Sequence, residues 1–150
     1  MALDLLIKDW MGSEPVTITA EETIGRALEL MLLHDVRHLP VVELGQVAGI
    51  VSDRDIGQLL GKGSVALDDQ AAVERYLARP IRQVMTTNPV TISASTSIET
   101  AVEIMMKRKI GALPVVGAQG ALIGIFTQFD AMRVFLHLLE RCRAETAPSG

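Results

Sequence analysis

The amino-acid sequence predicts an α+β fold, an α/β-type sandwich in which one β-α-β-β-α unit occurs twice. When the chain is shifted by 74 residues, Met11 to Val42 align with Met85 to Val116 without a gap, and 14 of these 32 pairs are identical. Within each copy, the hydrophobic pattern changes from strand-like to helical and back again. Repeat arrays usually need three or more units to bury a continuous core, so two copies suggest a pseudo-symmetric pair.

The first strand and first helix of each unit follow from local signals. PVTI occurs at Pro15 to Ile18 and again at Pro89 to Ile92. These β-rich runs behind a proline each predict a strand. From Thr23 to His34, and at the equivalent positions of the second copy, apolar residues recur at helical spacing. The helix cap is either Thr19, in a capping box with Glu22, or the later Thr23, with Ser97 as its counterpart.

The rest of each unit is a hairpin followed by a second helix. LPVV and the next apolar run, VAGIV or LIGIF, predict two short strands around a turn. Ser52 and Thr127 are plausible N-caps for the second helix, each followed three residues later by an acid, Asp55 or Asp130.

The repeats divide the chain into four predicted parts. Residues 7–60 form the first copy and residues 81–135 the second. Residues 61–80 form a linker with a connecting helix, in which Gly61 to Ser64 end the preceding helix and Asp68 to Leu77 form the new one. Residues 136–150 form a helical extension and a frayed tail from Glu145. The helix of Ala131 to Arg143 has Val134, Phe135, Leu138 and Leu139 on one side.

Composition restricts the class of protein. A net charge of −4 argues against non-specific binding to nucleic acid, because such binding needs a dense basic face. We expect no membrane span, because no apolar run approaches about 18 residues. The first ten residues do not resemble a secretion signal, and Cys142 is the single cysteine. Together these features predict a soluble, cytoplasmic protein with a well-buried core.

The candidate ligand-binding motif occurs once in each copy. It consists of glycine, two apolar residues, Ser or Thr, any two residues and Asp. It reads GIVSDRD at Gly49 to Asp55 and GIFTQFD at Gly124 to Asp130. At a strand-to-helix turn, glycine would let a ligand approach the backbone, and the helix N-terminus favours anions. A hydroxyl and a carboxylate three residues apart suit a ribose diol. Alternatively, these pairs only cap their helices.

These elements closely resemble the CBS family over nearly all of Ile7 to Phe135. The similarity lies in the Met-x-x-x-Pro-Val-Thr-Ile entry, the Ala-x-x-x-Met helix, the LPVV strand and the two Asp-ending motifs. It implies two CBS repeats, a Bateman module, packed about a pseudo-twofold axis with two symmetry-related clefts. In such modules the clefts bind AMP, ADP, ATP, S-adenosylmethionine, NAD or cyclic di-AMP as regulatory ligands, and no cofactor is required.

The resemblance also implies the ligand-binding residues. Its ribose carboxylate corresponds to Asp55 and Asp130, and the hydroxyl partner to Ser52 and Thr127. The backbone that flanks the base corresponds to one short segment of each copy, and the residues before each proline would come from the opposite copy to close the cleft. In chain order these flanking positions are Ser13, Glu14, Val36, Arg37, His38, Thr87, Asn88, Ile110, Gly111 and Ala112.

The two copies differ at the positions expected to meet phosphate. The first offers Arg37, His38 and Arg54, whereas the second has Gly111, Ala112 and Phe129. Glu14 would also repel phosphate where its counterpart Asn88 would not. We therefore predict that the cleft built around Asp55 is the stronger site. The basic run Lys107 to Lys109 is interpreted as a solvated helix end that compensates the helix dipole, the alternative being that it meets phosphate in the second cleft.

The predicted function is a non-catalytic regulatory module that binds an adenosine-type nucleotide, forms a homodimer as the resemblance implies, and signals to a separate effector protein. The first alternative is an interaction or dimerisation module without a ligand, in which Met31, Met105 and Met106 lie in the core or in a homodimer interface. An enzyme is the remote alternative. A metal site is disfavoured because His34 and His38 do not share a helical face and because Asp53 and Asp55 have no further acids nearby. Cys142 as a nucleophile with His137 as its base would have poor geometry.

Overall fold

The computed structural model describes residues 5–61 and 65–148. Eleven α-helices and β-strands within these ranges give the order β-α-β-β-α twice, with one additional helix between the copies, and confirm the predicted α+β fold. They are β1 (Gly12–Ser13), α1 (Ile24–His34), β2 (His38–Glu43), β3 (Gln46–Ser52), α2 (Asp53–Gly61), α3 (Gln70–Leu77), β4 (Thr86–Thr87), α4 (Ile98–Arg108), β5 (Ala112–Val116), β6 (Leu122–Thr127) and α5 (Gln128–Thr146).

Each of the two antiparallel three-stranded sheets takes one edge strand from the other copy. One sheet has the order β2-β3-β4, and the other has the order β1-β6-β5. In the first, Gly49 of β3 is opposite Thr87 of β4. In the second, Gly12 of β1 is opposite Ile125 of β6. The short strands β1 and β4 therefore exchange places between the copies.

The two hydrophobic cores follow the same exchange. Ile7, close to the N-terminus, is fully buried in the core of the second copy, where Trp10 and Met11 also pack. Ile81 is fully buried in the core of the first copy. Main-chain hydrogen bonds fix both segments: the Ile7 N–H donates to the Thr96 carbonyl at 2.9 Å, and the equivalent Ile81 N–H donates to the Glu22 carbonyl at 2.8 Å.

Helix α3, predicted as part of a linker, belongs to the first core. Its Tyr76 is 1% exposed, and the phenol donates a 2.7 Å hydrogen bond to the carbonyl of Ile56 in α2. Asp69 caps α3 by accepting a hydrogen bond from the Ala72 N–H. The predicted break at Gly61 to Ser64 is consistent with the end of α2 at Gly61, and residues 62–64 lie outside the described residues.

The predicted strands over the PVTI segments are wrong. Each PVTI segment has a single residue in an isolated β-bridge: Ile18 pairs with Val41, and Ile92 pairs with Val115. The residues that form strands are those just before the PVTI segments, β1 and β4. Between strand and bridge, Glu14 and Asn88 have positive φ angles of 51° and 47°. The chain turns there as it leaves one sheet for the other, so the proline that follows cannot continue the strand.

The first helix of each copy begins at the later of the two predicted positions. The Thr23 hydroxyl accepts a hydrogen bond from the Arg26 N–H, and the Ser97 hydroxyl accepts one from the Thr100 N–H. Met31 and Met105 are buried in the two cores, whereas Met106 is exposed.

At the C-terminus, α5 continues to Thr146, beyond the predicted start of fraying at Glu145. The four apolar residues expected on one side of this helix differ in their burial. Val134 and Leu138 pack in the second core, while Phe135 and Leu139 are exposed.

Candidate functional site

A cavity of about 780 Å³ opens between the two copies. It lies where β3 ends and α2 begins, beside the chain that leaves β4 and the end of α4. This size is typical of small-molecule sites. The residues that line it are Arg37, His38, Ile50, Ser52, Asp53, Arg54, Asp55, Thr86, Asn88, Pro89, Val90, Arg108, Lys109, Ile110, Gly111, Ala112 and Gln128.

Ser52 and Asp55 form a reciprocal pair at the start of α2. The Ser52 N–H donates to Asp55 Oδ2 at 2.9 Å, and the Asp55 N–H donates to the Ser52 hydroxyl oxygen at 3.1 Å. The predicted capping role is therefore real. It uses one carboxylate oxygen and no hydroxyl proton, and Asp55 Oδ1 has no hydrogen-bond partner among the described residues. An acceptor and a donor thus remain for a ligand.

His38 and Gly111 meet in the wall of this cavity, across the boundary between the copies. A Cβ atom added at Gly111 would lie 3.1 Å from His38 Nε2, so the imidazole lies directly against the Gly111 main chain. Burial lowers the pKa of His38, partly opposed by the carboxylates of Asp53 and Asp55, while the Arg37 guanidinium lowers it further. The free protein therefore favours a neutral imidazole at this position.

The charge of the cavity is opposite to that of the chain. The lining includes four cations, Arg37, Arg54, Arg108 and Lys109, and two carboxylates, Asp53 and Asp55. The chain as a whole carries a net charge of −4. A local excess of guanidinium groups around an opening of this size suits an anionic ligand, above all one with phosphate groups.

Two basic residues at the end of α4 have a position that the sequence did not indicate. Arg108 and Lys109, interpreted as part of a solvated helix end, are exposed, and both also line the cavity. The reason lies at Lys109, which caps α4 in the left-handed conformation with φ of 55°. This residue turns the chain from the end of the helix toward Ile110 and the cavity. Basic residues of the second copy therefore add to those of the first.

Nine of the fifteen residues that the sequence predicts to contact a ligand line this cavity, and six do not, among them Glu14 and Ser13, which pairs with Gly124. The nine are Arg37, His38, Ser52, Arg54, Asp55, Asn88, Ile110, Gly111 and Ala112. Val36 packs against the first core, and Thr87 pairs with Gly49 while its neighbour Thr86 lines the cavity. Thr127 and Asp130 bind one another at the start of α5, where Asp130 is only 8% exposed.

The glycines that open the two motifs have a different role from the one expected. A Cβ at Gly49 would lie 2.7 Å from the Thr86 carbonyl oxygen, and a Cβ at Gly124 would lie 2.8 Å from the Gly12 carbonyl oxygen. The backbone that approaches each glycine is thus the exchanged strand and not a ligand. Glycine is required here so that β4 and β1 can add to the sheets.

Within residues 5–61 and 65–148, no three His, Cys, Asp or Glu side chains come together in a way that could hold a metal ion. Cys142 is exposed on α5. No helix in the described part of the chain is long and apolar enough to cross a membrane.

Comparison with known proteins gives the same family for both halves. The family model described as "CBS domain" matches residues 7–61 and 81–137. A CBS domain-containing protein of Dictyostelium discoideum is 28% identical over 139 residues, which are 92% of this chain and 96% of that protein. Some longer enzymes also match, and there the aligned region covers only 21% to 23% of the enzyme.

Two solved structures with bound ligands are similar along nearly the whole chain. CBSX2, a CBS-pair protein of Arabidopsis thaliana solved in complex with AMP, has a TM-score of 0.74 and 28% identity and covers 90% of this chain and 98% of its own. The CBS domain pair of protein MJ0100, solved with 5′-methylthioadenosine and S-adenosyl-L-methionine, has a TM-score of 0.77 and 26% identity and covers 91% and 99%.

Proposed function

Because this chain belongs to the CBS domain family, with one CBS domain in each half, we propose that it is a regulatory module that binds an adenosine nucleotide in the cavity between them. The ligand binds in the cavity that contains Asp55 and acts as a regulatory signal and not as a cofactor. The chain itself catalyses no reaction in this proposal.

The observation that carries the proposal is the pair of groups that capping leaves available at the start of α2. Asp55 Oδ1 can accept a hydrogen bond, and the Ser52 hydroxyl can donate one. Each hydroxyl of a ribose diol can both donate and accept a hydrogen bond. Both groups lie in one cavity with Arg37 and Arg54, so a ribose at Asp55 has cations within the same space for its phosphates.

The relatives support an adenosine ligand, and the cavity's charge supports one with phosphate groups. AMP and S-adenosyl-L-methionine are the ligands of the two similar structures. S-adenosylmethionine carries a cationic sulfonium, which the four cations of this cavity would oppose. We therefore propose that this chain prefers AMP, ADP or ATP, and that affinity rises with the number of phosphates and falls with added salt.

A thermal-shift and calorimetric series tests the proposal on the purified, ligand-free chain. The ligands are ATP, ADP, AMP, adenosine and S-adenosylmethionine. At a ligand concentration 100 times Kd, binding should stabilise the fold by about 2.7 kcal/mol, a clear rise in Tm. Asp55→Ala should abolish this rise, whereas Asp130→Ala, the same change at the equivalent position of the second copy, should leave ATP affinity unaltered in the folded variant.

Two results would contradict the proposal. One is the absence of a shift with every adenosine ligand in a sample shown to be free of bound nucleotide. The other is an equal loss of affinity in Asp55→Ala and in Arg82→Ala, an exposed residue that lies outside the cavity. Release of phosphate or any other product from ATP by the same sample would support the enzyme alternative instead.

Exposed apolar residues on three helices favour a second function, association with another chain. Large apolar side chains are exposed on the surfaces of α1, α4 and α5, at levels far above those of the cores. They are Leu32 (86%), Leu33 (72%), Met106 (74%), Met132 (69%) and Phe135 (62%). Exposed apolar side chains that come together in a patch mark interaction surfaces.

We propose that these faces mediate homodimerisation and contact with an effector protein. Sedimentation equilibrium of the wild-type chain should give a dimer, and Leu33→Glu combined with Met106→Glu should give a folded monomer. A wild-type monomer at micromolar concentration would exclude the dimer. Since the nucleotide cavity lies between the copies of one chain, monomeric variants should still bind ATP, which separates the two functions.

A further inference from the structure

Asp55 and Asp130 occupy equivalent positions in the two copies but have different partners. Asp130 Oδ2 accepts hydrogen bonds from the N–H and the hydroxyl of Thr127, at 2.9 Å and 3.1 Å. Its second oxygen, Oδ1, lies 3.2 Å from Nη1 of Arg133. Both carboxylate oxygens of Asp130 are therefore engaged within the chain, whereas capping uses only one oxygen of Asp55.

Arg133 is itself held in place by an aromatic side chain from the exchanged N-terminal segment. Its guanidinium carbon lies 5.7 Å from the centre of the Trp10 ring, within the range of a cation–π contact. Trp10 also packs against His137, with the ring centres 5.3 Å apart. The pair formed by Arg133 and Asp130 is thus one part of a connected cluster, and its carboxylate side chain is only 12% exposed.

The first copy lacks this cluster. Aligning GIVSDRD with GIFTQFD places Gln58 opposite Arg133, and the 74-residue repeat places Val84 opposite Trp10. A glutamine cannot neutralise a carboxylate, and a valine offers no ring face to a guanidinium. The contact that occupies the second oxygen of Asp130 therefore has no equivalent at Asp55.

We propose that Arg133 closes the Asp130 half of the module to nucleosides and so determines that each chain binds one nucleotide, at Asp55. A ribose diol at Asp130 would have to displace the guanidinium from Oδ1 and leave that charge without its partner. Arg133 is on this view the residue that determines which of the two equivalent half-sites is used. The inference rests on the function proposed above and adds its stoichiometry.

The test is calorimetric titration with AMP. Because AMP carries only one phosphate, its affinity depends strongly on the contacts of its ribose. The wild-type chain should bind one AMP. Arg133→Gln, which installs the residue of the first copy, should bind two, and Arg133→Lys, which keeps a cation, should still bind one. Combining Asp55→Ala with Arg133→Gln should leave one AMP, bound at Asp130.

The reverse exchange in the first copy provides the matched control. Gln58→Arg places a guanidinium three residues after Asp55 and should weaken AMP binding at least tenfold. Trp10 is the only tryptophan in the chain, so its fluorescence reports directly on the cluster. AMP should change this fluorescence in Arg133→Gln much more than in the wild-type chain. Tm measured without AMP verifies that each variant is folded.

The outcomes separate this inference from the proposed function. Two AMP molecules bound to the wild-type chain would overturn the role of Arg133 and leave nucleotide binding intact. So would a single AMP bound to folded Arg133→Gln. If neither the wild-type chain nor Arg133→Gln binds AMP, ADP or ATP, both proposals are overturned.

Discussion

The imidazole of His38 lies against the main chain of Gly111, a residue that belongs to the other copy of the repeat. In the alignment of the copies, Arg37 corresponds to Gly111 and His38 to Ala112. A large side chain of the first copy therefore lies against a glycine of the second. The differences between the copies thus fit together within one cavity.

Enlarging Gly111 should reduce nucleotide binding without unfolding the chain. In Gly111→Val the new side chain occupies the space of the His38 ring, since even a Cβ would lie 3.1 Å from Nε2. We expect ATP affinity to fall about tenfold, equivalent to about 1.4 kcal/mol. Calorimetric titration measures the change. Unaltered ATP affinity in the folded variant would show that the position of the imidazole is irrelevant to the ligand.

A glycine with free space around it provides the control for that substitution. Gly57 lies inside α2, and a Cβ added there would have no atom within 4 Å. Gly57→Ala should stabilise the fold by about 0.5–1 kcal/mol, because alanine loses less conformational freedom than glycine in a helix. ATP affinity should not change.

The free energy of unfolding should depend on pH through His38. Burial holds its pKa below the ordinary value of 6.5, so the folded chain binds its proton less readily than the unfolded chain. The associated stability is fully present above the unfolded pKa and is lost as the pH falls through the folded pKa. Urea unfolding between pH 7.5 and 5 should therefore show a smaller loss in His38→Gln than in the wild-type chain. An identical loss in both would contradict this.

Nucleotide binding should shift the same titration in the opposite direction. Phosphate groups near His38 favour the charged imidazolium, so ATP should raise the pKa of His38. NMR titration of the histidine ring protons measures it, and His34, which is exposed at the end of α1, serves as internal control. A pKa of His38 that falls on addition of ATP would place the phosphates elsewhere.

Adding one methyl group at either motif glycine should destabilise the fold. In Gly49→Ala the Cβ would lie 2.7 Å from the Thr86 carbonyl oxygen, and in Gly124→Ala it would lie 2.8 Å from that of Gly12. Because backbone must move in both cases, we expect a loss of about 1–3 kcal/mol in each. Urea unfolding measures the loss. A loss of less than about 0.5 kcal/mol in the free energy of unfolding of either variant would show that the exchanged strand can move away at little cost.

Removing the phenol oxygen of Tyr76 should lower the free energy of unfolding by about 1 kcal/mol, because the buried hydrogen bond to the Ile56 carbonyl is lost in Tyr76→Phe.

Burial also raises the pKa of Tyr76 above 10.0, although Arg79 acts against this. The corresponding stability is present below pH 10 and is lost as the pH rises through the folded pKa. Tyr76 is the only tyrosine, so phenolate absorbance measures its pKa directly.

Sequence alone was sufficient for the elements whose signals are local. The two hairpins, the capped helices and the position of α3 all follow from periodicity and capping residues within about fifteen positions. The convergence of Arg37, Ser52 and Asp55 on one cavity follows from the family resemblance together with the repeat. Each of these features depends on neighbours along the chain or on a pattern that occurs twice.

The features that were missed depend on partners distant in sequence. Hydrophobicity predicts that Ile7 is buried, but it cannot indicate that Ile7 packs in the core of the other copy. The strand at PVTI was misplaced because Glu14 adopts a left-handed conformation for which its sequence gives no signal. The spacing of Asp130 and Arg133 could have suggested an ion pair, whereas the contact with Trp10 could not be anticipated.

The exchange of β1 and β4 makes the two copies a single thermodynamic unit. Separation of the copies would leave each sheet without an edge strand and each core without a segment such as the one around Ile7 or Ile81. Neither copy can then melt while the other stays native, and calorimetry should record one two-state transition. A nucleotide bound in the cavity should consequently protect amide protons in both cores.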